Sequence, residues 1–178
     1  MNECSSAFSF PILSSLSFVK FHLMTKLFFN SSLISHLQNC DVIYYDFLQS
    51  QVILENNDHN CAIPLLSLNL FLNRCAQYFG HSISGQKEAY KTIMHAKKSI
   101  PILLSQTPLL FFLPLKQNGL TIYINYSRLT YLPQQKDRST LSFVDDFQLE
   151  GLLTNQVERN YLNAKWYLHK IYSSQSSQ

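Results

Sequence analysis

Basic side chains are concentrated in the middle of the sequence. Between Arg74 and Arg138 the chain carries nine lysine and arginine residues but only two acidic residues, Glu88 and Asp137. Residues 1–70, in contrast, hold two basic and five acidic residues. A dense set of cations can neutralise the phosphates of a nucleic acid, because each neutralised phosphate releases condensed counterions. Charge alone leaves open whether this region binds a polyanion or is a basic, solvated surface without a partner.

Residues that catalyse reactions or bind metals form no standard motif here. The sequence has no glycine-rich phosphate loop, no nucleophile elbow and no HExxH segment, and the adjacent carboxylates Asp145 and Asp146 would point apart on a strand. A zinc site can be drawn from four residues, His59, Cys61, Cys75 and His81. Their spacing matches no zinc finger, and buried, reduced thiols explain the cysteines better. We therefore expect no enzyme activity, no metal and no cofactor.

The composition is that of a folded protein with one main domain. The 178 residues are 46% hydrophobic and 14% charged, which is too apolar for a disordered chain. We expect a domain over residues 36–172, an N-terminal appendage or over-extended start over residues 1–35, and a disordered tail over residues 173–178. The uncharged run over residues 4–19 falls short of the ~20 residues that span a bilayer, and no basic residue precedes it. No membrane association is expected, and the protein is predicted to be cytoplasmic.

The elements that must position the basic residues are mostly short strands. Runs of β-branched and aromatic residues predict strands at residues 41–48, 51–56, 61–66, 89–94, 100–104, 109–113, 120–126 and 142–144. Asn118-Gly119 predicts a hairpin turn, and Pro64 places its strand at an edge or an end of the sheet. Residues 132–140 are polar and basic and are predicted to form a loop.

Two helices are predicted beside these strands. Apolar residues recur at helical spacing over residues 67–79, and Gly80 would end that helix. A loop is expected over residues 81–85. A longer amphipathic helix is predicted over residues 155–172, with Asn155 and Glu158 as a capping box. The predicted fold class is therefore α+β: a mainly antiparallel sheet with a short central helix and a longer C-terminal helix.

The C-terminal helix presents two different faces. One is an apolar stripe of five residues, Val157, Tyr161, Ala164, Leu168 and Ile171. The opposite face contains Arg159, Leu162, Trp166 and Lys170. A tryptophan beside two cations either packs on another element of the same chain or belongs to a surface for a partner or DNA, and both interpretations stay open.

The segment QYFGHSISGQK, residues 77–87, resembles the characteristic segment of the ComK family of competence transcription factors. In that segment two aromatic residues and a glycine are followed, after four further residues, by glycine, a basic residue and lysine. Tyr78, Phe79, Gly80, Gly85 and Lys87 match this pattern. KTIMHAKKSIPILLSQTPLLFFLPL, LTIYINYSRL and LTNQVERNYLNAKWYL resemble the later segments of the family in the same order. The resemblance covers roughly residues 41–172.

The resemblance implies a DNA-binding regulator of competence genes. It implies binding to AT-rich double-stranded DNA through the minor groove, as a homo-oligomer, followed by recruitment or stabilisation of RNA polymerase. The residues expected to contact DNA are Gln77, Gly80, Gly85, Gln86, Lys87, Lys91, Lys97 and Lys98. The narrow, negative minor groove of A-tracts attracts basic side chains, and a loop between two glycines could approach it closely. The glycines could equally serve as a helix cap and a turn.

Several departures from the family pattern leave alternatives open. Two positions that usually hold arginine are Gln77 and Gln86, and a tryptophan common in a later strand is replaced by Tyr123. Longer members also carry a tail that is linked to activation. One alternative is a degenerate member that acts by protein–protein association without strong DNA binding. Another is a general binder of single-stranded nucleic acid.

Overall fold

The computed structural model describes residues 31–65, 67–131 and 137–175 of the protein. Contacts between residues divide the chain into two units, residues 1–34 and residues 35–178, and every strand of the described chain lies in the second. Residues 1–30 of the predicted appendage lie outside the described residues. Within the described ranges, no helix is long and apolar enough to cross a bilayer.

Helices and strands follow one another along the chain as the α+β prediction requires. Their order is α1 (Ser31–Asn39), β1 (Val42–Asp46), β2 (Gln51–Glu55), β3 (Asn60–Pro64), α2 (Leu68–Tyr78), α3 (Ile83–Met94), β4 (Ile102–Gln106), β5 (Leu109–Gln117), β6 (Leu120–Asn125), a 3-10 turn (Tyr126–Arg128), β7 (Leu129–Tyr131), β8 (Arg138–Phe143), β9 (Gln148–Leu153) and α4 (Thr154–Gln175). The fold class is confirmed, with α3 as an additional central helix.

The strands form two antiparallel sheets. The larger sheet has the order β3-β2-β1-β6-β5-β4, and the smaller has the order β7-β8-β9. Asn118 and Gly119, at φ 50° and 81°, join β5 to β6, which confirms the predicted hairpin, because this tight turn needs positive φ at both central positions. Pro64 ends the edge strand β3, also as predicted.

The central part of the larger sheet is buried on both faces. Alternate residues of β5 and β6, such as Phe111, Leu113 and Ile124, belong to a core that includes the apolar stripe of α4 and residues of the smaller sheet. Ile43 and Phe112 point to the opposite face and are also buried. The predicted apolar stripe of α4 is therefore confirmed as the side of the helix that faces the core.

A buried cluster of charged groups joins the two sheets. Arg128 Nε donates to Asp41 Oδ1 at 2.7 Å, and Arg128 Nη2 lies 3.0 Å from Asp145 Oδ2. Burial raises the pKa of Asp41 to about 7, in spite of the neighbouring guanidinium. Burial also acts to raise the pKa of Asp145, but the hydrogen bond with Asp41 and the charge of Arg128 outweigh it and hold this pKa below its usual value. Below about pH 7, Asp41 therefore keeps its proton, while Asp145 is ionised beside the Arg128 cation.

The segment after Gly80 differs from the sequence-based prediction. Residues 81–85 were expected to form a loop and residues 89–94 a strand, whereas α3 runs from Ile83 to Met94. Ser82 caps this helix by accepting a hydrogen bond from the Gly85 backbone N–H at 3.1 Å. The helix buries only Ile83 and Tyr90 among its twelve residues, and this is too sparse a pattern for helical periodicity to be recognised.

Three smaller differences concern the C-terminal third. β8 begins at Arg138, inside the predicted loop, and β7 and β9 were not predicted. Helix α4 begins at Thr154, so Asn155 lies in its first turn and not at the predicted cap. The helix also continues to Gln175, into the segment that was expected to be a disordered tail, because its residues still fit the helical repeat.

We predict that the free energy of unfolding falls as the pH rises from 3.8 to about 7, the interval between the ordinary and the folded-state pKa of Asp41. The folded protein holds this proton more tightly than the unfolded chain, so the stabilisation is complete below the interval and lost above it. Asp145 has the opposite effect, but at pH values below its ordinary pKa of 3.8.

Urea unfolding of wild type and Asp41→Asn at about pH 5 and about pH 8 measures this effect. The substitution should remove most of the pH slope, whereas Asp146→Asn, at an exposed neighbouring position, should leave it unchanged. Equal slopes in wild type and Asp41→Asn would contradict the retained proton.

Candidate functional site

Three of the predicted DNA-contacting lysines line one groove. Lys87, Lys91 and Lys97 surround it together with Lys116, a residue of the basic region that is not among the predicted DNA contacts. The groove has a volume of about 420 Å³, and its other lining residues are all uncharged. Four cations around one concave surface without a carboxylate in its lining form a site for an extended anion.

Each lysine is positioned by a different local feature. Lys87 and Lys91 are four residues apart in α3 and therefore share one side of that helix. The chain then turns back through His95 and Ser99, which have φ values of 52° and 54°, and this turn carries Lys97. Lys116 lies on β5 beyond the part paired with β4, whose ladder ends at the pair Ile102–Phe112.

The electrostatics of the groove favour anions. Lys91 forms an exposed 2.7 Å ion pair with Glu88, which offsets part of its charge. Gln156, in the first turn of α4, also lines the groove and brings the positive end of that helix near it. Burial raises the pKa of Tyr123 in the groove wall, so its hydroxyl stays neutral and can donate a hydrogen bond.

Gln86 has a different role from the predicted DNA contact. Its side-chain Nε2 donates to the Leu103 carbonyl at 2.6 Å, and its Oε1 accepts from the Leu103 backbone N–H at 3.1 Å. Leu103 lies on β4, the edge strand of the larger sheet, so the amide pairs with the edge as a neighbouring strand would. Both ends of this side chain bond to β4, and a DNA contact of Gln86 stays a prediction.

The two glycines of the predicted loop also differ from each other. Gly80 follows α2 at φ +75°, a conformation that non-glycine residues rarely adopt, so its helix-ending role is confirmed. Gly85 lies in the first turn of α3, and an added Cβ would meet only the Ser82 side chain, at ordinary distances of 3.7 Å to Oγ and 3.8 Å to Cβ. The prediction of a loop between two glycines is therefore wrong, although Gly85 still exposes bare helical backbone. Gln77 is exposed near the end of α2.

A second groove continues the basic one. It is lined by aromatic and apolar residues, including Tyr45, Phe47 and Leu120, and it shares Lys116, Thr121 and Tyr123 with the basic groove. The strand prediction over residues 41–48 concealed this feature, because it placed Phe47 and Leu48 inside the strand. Both follow β1 in an exposed turn. The sequence does contain one indication of an apolar turn, because Phe47 and Leu48 stand directly before the polar residues 49–51.

The remaining predicted residues lie apart from the two grooves or serve other contacts. Lys98 is exposed and is not part of the groove lining. On α4, Leu162 and Trp166 are 52% and 59% exposed, so Trp166 does not pack into the core of its own chain. Lys170 donates to the Ile93 carbonyl in the last turn of α3 at 3.1 Å. In the described part of the chain, no group of three or more His, Cys, Asp or Glu residues could hold a metal ion, and the sketched zinc site is therefore not formed.

The chain matches one protein family. The family model described as ComK protein matches residues 41–174, which is most of the chain. This range includes all the strands and the helices α2 and α3, and it ends within α4. No curated protein and no solved structure matched the chain.

We predict that Gln86→Ala lowers the free energy of unfolding by about 1–3 kcal/mol, because it leaves the edge N–H and C=O of Leu103 without their partners. Gln77→Ala is the matched control, since the same side chain is removed from an exposed site, and it should change stability by no more than about 0.5 kcal/mol. Urea unfolding measures both. Equal effects would show that the amide contributes nothing to docking α3 on the sheet.

Proposed function

The chain belongs to the ComK family of competence transcription factors, and we propose that it regulates competence genes by binding AT-rich promoter DNA. The observation that carries the proposal is the groove in which Lys87, Lys91, Lys97 and Lys116 converge without a lining carboxylate. Such a site suits a phosphate backbone, because closely spaced cations release the counterions condensed on DNA. A cytoplasmic regulator of this kind needs no cofactor.

The proposed contact is to the minor groove. AT-rich minor grooves are narrow and strongly negative, so they attract basic side chains more than GC-rich ones. In the proposed complex the lysine groove follows one phosphate backbone, and the exposed backbone at Gly85 allows the first turn of α3 to approach closely.

The two glutamines at positions where the family usually carries arginine do not remove this capacity. Gln86 docks α3 against β4 and so fixes the helix that carries Lys87 and Lys91. Lys97 and Lys116 supply further charge from two other segments. Phosphate contacts give affinity without sequence information, so the proposed preference for AT-rich DNA rests on groove shape and not on these two positions.

The exposed side of α4 is proposed as the surface for self-association, with RNA polymerase recruited by the resulting complex on DNA. Leu162 and Trp166 are both more than half exposed on one side of the helix, and Arg159 adds a charge. Aromatic and arginine side chains dominate the binding energy of protein interfaces.

We predict that the wild-type protein binds an AT-rich duplex more tightly than a GC-rich duplex and that Lys87→Gln weakens both by a similar factor. The substitution should reduce the slope of log affinity against log salt by about 1, because one phosphate contact is lost. Lys165→Gln, at an exposed position outside the groove and about 100° around α4 from Trp166, is the control with the same change in charge. Fluorescence anisotropy at several salt concentrations measures the slopes.

The titration has two adverse outcomes. An unchanged slope in Lys87→Gln would remove the lysine groove from the interface. If the wild type binds neither duplex, the proposal is wrong. The exposed apolar residues of α4 would then favour the alternative of a member that acts by associating with another ComK-family protein.

We predict that the wild-type protein is an oligomer and that the Trp166→Ala variant is shifted towards the monomer. The truncation of this aromatic side chain removes the centre of the proposed contact. The fold should be preserved, since Trp166 is 59% exposed. Analytical ultracentrifugation measures the change, and Tyr172→Ala, at a less exposed aromatic residue near the end of the same helix, is the control. A wild type that is monomeric at all concentrations would overturn this part of the proposal.

A further inference from the structure

The turn between β1 and β2 exposes two large apolar side chains next to each other. Leu48 is 97% exposed and Phe47 is 67% exposed, which makes them the two most exposed large hydrophobic residues of the described chain. Single exposed leucines are common on protein surfaces, but an adjacent pair at the tip of a hairpin is not explained by packing within this chain.

The turn is held by its own hydrogen bonds. Asp46 Oδ1 accepts from the Leu48 backbone N–H at 2.8 Å and from the Gln49 N–H at 3.3 Å. The Phe47 ring packs edge-on against Tyr45, with 4.8 Å between ring centroids. Ser50 completes the turn at a positive φ of 52°. The Asp46 carboxylate is therefore engaged with backbone N–H groups, and Leu48 is presented on a supported tip.

Phe47 of this tip lines the apolar groove, which adjoins the lysine groove. β1 pairs with β6 only through Val42–Ile124 and Ile43–Tyr123, and the apolar groove is lined by residues of the unpaired ends, including Tyr45, Phe47 and Leu120. Lys116 and Thr121 belong to both grooves. An occupant of the lysine groove that continues into the apolar groove therefore reaches Phe47, which stands directly beside Leu48.

We infer that the Phe47–Leu48 tip is a wedge that inserts between neighbouring base pairs of the bound DNA from the minor groove. The inference rests on the proposed function, and the charge complementarity between DNA and the adjoining lysine groove identifies the occupant. Apolar side chains inserted in this way partly unstack a base step and kink the duplex towards the major groove. Flexible TA steps open most easily, so the wedge favours AT-rich sites without any hydrogen bond to a base edge.

The test compares wild type with Leu48→Ser and Phe47→Ser on an AT-rich duplex that carries 2-aminopurine at a TA step and a fluorophore at each end. Bound wild type should raise the 2-aminopurine emission, which reports unstacking, and should bring the duplex ends closer together by energy transfer. Both variants should lose most of each signal at saturating protein. Their salt slopes should match the wild type, because no phosphate contact is changed.

The control is Val144→Ser, which replaces another apolar residue that is 60% exposed and lies in a different hairpin turn. It should keep both signals. Circular dichroism verifies that each variant is folded, as expected for exposed positions.

The outcomes separate the wedge from the proposed function. If the wild type fails to bind the AT-rich duplex at all, both are wrong. If the wild type binds with its salt slope but Leu48→Ser and Phe47→Ser unstack and bend the duplex as the wild type does, only the wedge is wrong. A loss of self-association in these variants, with unchanged signals per bound protein, would show that the tip contacts a second copy, and this would also overturn the wedge.

Discussion

The pairing of the Gln86 amide with Leu103 is the interaction on which the arrangement of the basic groove depends. β4 is an edge strand, and its outward N–H and C=O at Leu103 need partners. A primary amide supplies one donor and one acceptor in the geometry of a peptide group, so Gln86 satisfies both at once. An arginine, the usual residue of the family at this position, offers donors only and could not accept from the Leu103 N–H. At this position the chain therefore lacks a cation but has a hydrogen-bonded connection between α3 and the sheet. This connection also positions Lys87, the next residue of α3.

A second set of contacts, between Arg128, Asp41 and Asp145, holds the two sheets together. Arg128 follows β6, Asp41 precedes β1 and Asp145 lies in the turn between β8 and β9, so their contacts connect the two sheets. The desolvation of three ionised groups would be expensive, and below about pH 7 the proton on Asp41 reduces the cluster to one cation and one anion. This arrangement stabilises the position of the smaller sheet beside α4 and leaves no charge of the cluster available to a ligand. Lys97 and Lys116 of the groove, by contrast, are exposed, and Lys87 and Lys91 are partly exposed.

The features that the sequence predicted correctly are those set by short-range rules. Asn118-Gly119 specifies its hairpin locally, and the stripe from Val157 to Leu168 specifies the buried side of α4. Helix α3 was missed because Gly85 and the β-branched residues Thr92 and Ile93 weaken its helical propensity, and its stability comes from the Ser82 cap and from docking on β4. The participation of Lys116 in the groove depends on where β4 stops pairing with β5, a long-range property that no local pattern contains.

In the proposed complex with DNA, the lysine groove would supply affinity and the apolar groove would supply selectivity. Lysine is a flexible point charge, and contacts from Lys87 or Lys97 to phosphates are much the same on any sequence. In the minor groove, hydrogen bonds to base edges distinguish little beyond AT from GC. The proposed preference for AT-rich DNA therefore depends mainly on the shape and deformability of the duplex. Deformability becomes an energetic difference between sites only if the protein deforms the duplex, and an apolar tip beside a cationic groove is a structure that can do so. Selectivity would then depend on Phe47 and Leu48, which lie outside the segment that identifies the family in the sequence.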